Sequence, residues 1–182
     1  MNKDVNQLGI FFGSDTGNTE KVANIIKKTL GAHCPAEVND IAKSKAEDLE
    51  KFSLLLLGIP TWYYGEPQCD WEDFFPTLTQ IDWSKKYVGI FGCGDQGDYS
   101  EYFCDAMGTL RDIIQPQGAK MVGKWSTRGY CFDSSKSLVN NQYFIGLTID
   151  EDRQPELTND RVERWIIQVC GEIPYSLSSS FL

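Results

Sequence analysis

The chain is nearly without histidine. Of 182 residues one is His, His33, and the six cysteines (Cys34, Cys69, Cys93, Cys104, Cys131, Cys170) are scattered with no CxxC pair. Such spacing excludes the usual zinc ligand sets, and it reads as free thiols of a reducing, cytoplasmic compartment. Long apolar runs are missing too. No stretch approaches the roughly 18 residues that span a bilayer, and the opening MNKDVNQ lacks the apolar segment of an export signal. Basic residues are in deficit, 17 against 26 acidic, for a formal charge of −9. Nucleic acid and anionic membranes repel such a surface and are not expected as partners, whereas a basic protein surface fits it. No nucleophile–base pattern is visible, so no bond-breaking activity is expected. Nor are there repeats, low-complexity tracts or linkers, and residues 1–182 read as one domain with a core over about 7–173.

What is present is alternation. Leu8 to Phe12 reads as a strand, and Val22, Ile25, Ile26 and Leu30 recur at helical spacing up to a stop at Gly31. A weak strand follows at Ala36 to Val38, then a polar helix over Lys43 to Lys51. Phe52 to Ile59 is apolar on successive residues, as in a strand covered on both faces. A helix over Trp71 to Leu78, a strand over Tyr87 to Gly92 and a helix face from Phe103 to Ile114 come next. Lys120 to Gly123 starts a fifth strand, residues 124–142 look irregular, and Tyr143 to Ile149 resumes it. The last helix holds Leu157, Val162, Ile166 and Val169, with Thr158 or Asn159 as its cap. This alternation predicts an α/β fold: a doubly wound, five-stranded parallel sheet with helices on both faces. Ligands of such folds sit at the carboxyl ends of the strands, which directs attention to three loops.

The first, Ser14-Asp15-Thr16-Gly17-Asn18-Thr19, joins a strand to a helix, so backbone N–H groups and the positive helix end meet there. Hydroxyls of Ser14, Thr16 and Thr19 and the amide of Asn18 add donors, and Gly17 permits close approach. No Lys or Arg lies between Leu8 and Glu20, so this is not an ATPase-type loop. A capped helix start is the plainer alternative. The second, Pro60-Thr61-Trp62-Tyr63-Tyr64-Gly65, places three aromatics in succession; they either stack on a flat ligand or pack on neighbouring helices. The third, Gly92-Cys93-Gly94-Asp95-Gln96-Gly97-Asp98-Tyr99, offers Asp95 as an acceptor for a ligand N–H, or else as a turn residue. Together the loops describe a ligand with one terminal phosphate and a large flat ring, of which FMN is an example.

These segments, with Pro60-Thr61-Trp62, Gly94-Asp95-Gln96, Tyr99 and Gly146-Leu147 to Asp150-Glu151-Asp152, resemble the flavodoxins. The interruption of the fifth strand, including Trp125-Ser126-Thr127-Arg128-Gly129-Tyr130, is similar to that of the long-chain members, and Trp-Tyr-Tyr-Gly-Glu and Gly-Cys-Gly-Asp-Gln are similar to the enteric ones. The resemblance implies strand order 2-1-3-4-5, non-covalent FMN and low-potential one-electron transfer, in a monomer that is not itself an enzyme. It implies an NADPH-dependent flavodoxin or ferredoxin reductase as electron source and low-potential enzymes with basic docking surfaces as acceptors. Ser14 to Thr19 would hold the phosphate, Trp62 and Tyr99 would flank the isoalloxazine, Asp95 would meet its N3, and Asp150 would lie near. The Tyr63–Tyr64 peptide stands where the family reorients a carbonyl toward the one-electron-reduced flavin. Two departures are Gly97-Asp98, which alters the local charge, and Tyr63, where many short-chain members have Gly.

Acidic groups at Glu66, Asp70, Asp95 and Asp98 are expected to oppose full reduction of the flavin. Acids near the ring edge at Glu66, Asp70, Glu72, Asp73 and Glu101 are expected to steer basic partners, or else to form a plain solvated face. The competing reading is an FMN-dependent NAD(P)H:quinone reductase of similar fold, which needs an open ring face. A receiver-type domain is excluded, because Leu54-Leu55-Leu56-Leu57-Gly58 carries no phosphoacceptor Asp.

Overall fold

Apolar strands covered on both sides set the architecture. The computed structural model describes residues 8–31 and 34–174; His33 lies outside them. In chain order the elements are β1 (Leu8–Phe12), α1 (Asn18–Leu30), β2 (Ala36–Asp40), α2 (Ala46–Glu50), β3 (Leu54–Gly58), α3 (Cys69–Leu78), β4 (Tyr87–Cys93), α4 (Asp105–Ile114), β5 (Lys120–Val122), β6 (Leu147–Ile149) and α5 (Thr158–Glu172). Every residue of β1 and β3 is buried, as expected of central parallel strands with helices on each face. The order is β2-β1-β3-β4, with β5 and β6 both on the free edge of β4, and every pairing is parallel. No helix among the described residues is long and apolar enough to cross a membrane.

The fifth strand position is shared by two segments. β5 pairs with Tyr87–Gly89 and β6 with Phe91–Cys93. The expected continuous strand from Tyr143 to Ile149 is broken: Tyr143–Phe144 pairs antiparallel with Trp125–Ser126 and Leu138–Asn140 in a separate small sheet. Gly146 stands at the break because a Cβ there would fall 1.9 Å from the Ile90 carbonyl oxygen. Residues 124–142, expected to be irregular, are thus ordered by this sheet and by aromatic packing. Phe103 meets Tyr130, Phe132 and Phe144 at ring-centroid distances of 5.7, 5.6 and 5.9 Å.

Three other expectations shift. The polar helix near 43–51 is a 3-10 turn (Ile41–Lys43) followed by α2. The helix after the third loop begins only at Asp105, so Phe103 precedes it. Neither Thr158 nor Asn159 caps α5; a 3-10 turn leads in, Leu157 takes the cap position, and the Thr158 hydroxyl donates to Glu151 instead. The helix is fixed from its middle, where Trp165 is fully buried, stacks edge-on with Phe91 and donates from Nε1 to the Gly123 carbonyl at 2.7 Å.

Candidate functional site

Three loops at the carboxyl ends of β1, β3 and β4 enclose a cleft of about 350 Å³. The first wall is Ser14, Asp15, Thr16, Asn18 and Thr19, the second Pro60, Thr61, Trp62 and Tyr63, and the third Cys93, Gly94, Asp95 and Tyr99. Thirteen of the residues singled out from sequence are therefore brought together. Glu151 and Asp152 complete the lining, which holds four acids and no Lys or Arg.

The first wall is built to donate. Gly17 takes φ +88, a left-handed conformation that only glycine adopts cheaply. A Cβ there would meet no protein atom within 4 Å, and Gly17 does not line the cleft. Its N–H donates to Ser14 Oγ at 3.1 Å. Among the described residues no other N–H from Ser14 to Thr19 is engaged. Thr19 is 1% exposed, yet its Oγ1 has no sound hydrogen bond. Its neighbour is the Cys93 thiol, a weak partner that burial pushes up to about 12 and so keeps protonated. Unengaged donors at a helix N-terminus fit a phosphate without a cationic side chain. Lys21, just beyond the loop, pairs with Glu151.

The second wall is a tight ribbon in which Thr61–Trp62 pairs with Glu66–Pro67. Gly65 N–H donates to the Trp62 carbonyl at 3.1 Å, closing a turn with Tyr63 and Tyr64 at its centre. Tyr63 has φ +41, one of two positive values on non-glycine residues among those described. Gly65 itself has φ +92, and a Cβ would lie 2.7 Å from the Asp105 carboxylate. Tyr64 points away, 72% exposed and edge-on to Tyr102. Tyr64 and Gly65 shape the turn but do not line the cleft. Trp62 Nε1 is buried without a partner among the described residues, a second orphaned donor at the site. Gln68 ties this ribbon to the first loop, donating from Nε2 to Asp15 Oδ1 at 3.0 Å and Asp70 Oδ2 at 2.5 Å.

The third wall hangs on Asp150, which is 0% exposed and does not reach the cleft. Its Oδ2 accepts from Gln96 N and Nε2 at 3.1 and 2.8 Å, and its Oδ1 from Asp152 N and Arg153 N at 3.1 and 2.9 Å. Asp150, expected near the site, stands behind the lining rather than in it, and its four inward N–H bonds make it the support of this wall. Gln96 passes the support on, accepting from Cys131 N at 2.6 Å and so fastening the loop to the inserted segment.

Asp95 accepts from Gly97 N and Asp98 N at 2.8 and 3.0 Å and from Arg153 Nε at 3.1 Å. Burial pushes its carboxyl up, but Arg153 and the two amides outweigh it, holding the group below the ordinary range. Arg153 NH2 also reaches Asp98 Oδ1 at 2.7 Å. Asp95 and Asp98, expected from sequence to oppose full reduction of the flavin, are therefore both compensated by Arg153. Asp152 is different: burial first, then the charges of Asp95 and Asp150, raise its carboxyl above the usual value. Arg153 was missed because nothing in its immediate sequence marks it, though the DED run before it did point to this rim.

The sequence pattern of the family described as Flavodoxin matches residues 10–165. The chain is 65% identical over 166 residues to a flavodoxin of Klebsiella pneumoniae, covering 91% of this chain and 94% of that one. It is 64% identical over 165 residues to flavodoxin 1 of Escherichia coli strain K12, covering 91% and 93%. Among solved structures it is similar to Fusobacterium nucleatum flavodoxin bound to flavin mononucleotide, with a TM-score of 0.86 at 33% identity over 92% of this chain and 99% of that one.

Proposed function

The chain belongs to the flavodoxin family, and we propose that it carries single electrons on non-covalently bound FMN, from an NADPH-dependent flavodoxin or ferredoxin reductase to low-potential acceptors with basic docking surfaces. One observation supports this above the rest: a single cleft joins a cation-free cradle of unengaged donors to two aromatic walls. FMN, when bound, supplies the redox chemistry, and the protein binds, orients and tunes it.

The residues divide that work. Ser14 to Thr19 hold the phosphate with N–H groups and hydroxyls; no Lys is required where no phosphoryl group is transferred. Trp62 and Tyr99 flank the ring and exclude water from its faces. Asp95 Oδ2 keeps room for a ligand N–H, since its one contact is Arg153 NH2 at 3.4 Å. Of the four lining acids, Glu151 is paired with Lys21 and Asp95 with Arg153, and the remaining two, Asp15 and Asp152, leave the field around the ring unfavourable to a second electron. Glu66, Glu72, Asp73 and Glu101 are exposed and have no ion-pair partner among the described residues, which suits steering of a basic partner.

The test is reduction of the FMN-loaded protein by NADPH under anaerobic conditions. The flavin spectrum is expected to stay oxidised with NADPH alone and to bleach once the reductase is added, at a rate that falls with ionic strength. Direct reduction by NADPH would instead favour the quinone-reductase reading.

A further inference from the structure

A second cleft, about 420 Å³, opens on the far side of the inserted segment, where it meets the first turns of α5. Its lining includes Trp125, Ser126, Arg128, Arg161 and Arg164 against one acid, Asp160. Three guanidinium groups around one cleft stand out in a chain with 17 basic and 26 acidic residues. Arg164 is partly neutralised by Asp160, NH1 to Oδ2 at 3.1 Å, and lies 5.3 Å above the Trp125 ring.

Arg161 is the unusual member. It is 5% exposed and has no carboxylate within ion-pair distance among the described residues. Its NH2 donates to Gln154 Oε1 at 2.7 Å and its charge sits 4.1 Å from the Tyr130 ring centroid. Its NH1 is buried with no hydrogen-bond partner among the described residues. A buried charge is costly unless paired, and an unmet donor on it adds to that cost. The stack on Tyr130 offsets part of the cost. It does not supply the missing anion.

Other features at the cleft point the same way. The N-terminus of α5 contributes its positive end, and no side chain caps it. Ser126 Oγ accepts from Arg128 N at 3.2 Å, which leaves its own O–H free to donate. We propose that this cleft binds a dianionic phosphate group, either inorganic phosphate or the phosphate of a small monoester. Three guanidiniums less one carboxylate leave two positive charges, the match for a phosphate near neutral pH. Planar forks with N–H groups to spare suit its oxygens.

The test uses the FMN-saturated protein, so that the Ser14–Thr19 loop is filled. Inorganic phosphate is titrated against chloride at equal ionic strength while backbone amide NMR shifts are followed, and glycerol phosphate forms a parallel arm. Saturable shifts confined to Ser126–Tyr130 and Leu157–Arg164 are expected, weakened about ten-fold or more in Arg128→Gln and unaltered in Arg111→Gln. Tighter binding of glycerol phosphate than of inorganic phosphate would assign the source to a monoester; the reverse order would assign it to the free ion. Arg128 and Arg164 are exposed, so Arg164→Gln gives a second folded variant. Shifts that fail to saturate, that chloride reproduces, or that persist unweakened in both variants would overturn the proposal.

Discussion

Arg153 and Asp95 are 58 residues apart in sequence and meet at 3.1 Å, Nε to Oδ1. The pair joins the loop after β6 to the loop after β4, and it balances the charge of the third wall while the lining itself stays acidic. Arg153→Gln should free the charges of Asp95 and Asp98 and lower the potential for adding the second electron to the flavin, by an amount on the order of tens of millivolts. Potentiometric titration of both proteins checks this, and an unchanged or raised potential would contradict it.

The same pair has a pH signature. The Asp95 carboxyl is held below its ordinary value of 3.8, so the stability it lends is complete above that value and is lost as pH falls through the depressed one. Urea unfolding between about pH 2 and about pH 5 should show wild type losing more stability on acidification than Arg153→Gln. Parallel acid limbs for the two would mean that the pair contributes nothing.

Thr19→Val separates binding from folding. The hydroxyl is buried and unpaired, so removing it should leave the apoprotein as stable or slightly more so. Affinity for FMN should fall about ten-fold, the equivalent of one lost donor to a charged group. Melting of the apoprotein and fluorescence titration with FMN measure the two separately.

Tyr63 at φ +41 carries a backbone cost of about 1 kcal/mol that glycine would not. Tyr63→Gly should ease reorientation of the 63–64 peptide and raise the first one-electron potential relative to the second. The maximal fraction of one-electron-reduced protein during anaerobic titration reads this out, and no increase in the variant would refute it.

Asp150→Ala should destabilise the protein by about 2–4 kcal/mol, because four N–H groups lose their acceptor in a buried site. Binding of the ring should weaken with it, since Gln96 would no longer hold the Gly94–Tyr99 loop. Chemical denaturation gives the first quantity and FMN titration the second.

How much of this was legible beforehand follows from the range of each interaction. β1 and β3 announced themselves because burial on both faces demands apolar residues in succession. The Ser14–Thr19 turn was legible because a glycine turn between a strand and a helix start is a local property of sequence. The small sheet of the inserted segment was not. Its strands are two or three residues long and are held by Phe103 from a distant loop. From sequence, Asp150 reads as a residue of the site, because an acid near a strand end looks alike whether it turns outward or inward, and only Gln96, 54 residues away, decides which. Arg153 escaped for the same reason: its meaning lies in Asp95 and Asp98.

In the proposed complex, donors without a cationic side chain hold the phosphate while Trp62 and Tyr99 hold the ring. Comparing the affinity of the apoprotein for FMN and for riboflavin, at low and high ionic strength, tests it most directly. One FMN per chain is expected, bound at least about 100-fold more tightly than riboflavin, as several charge-assisted hydrogen bonds require. Riboflavin bound as tightly as FMN would contradict it, as would no flavin bound at all.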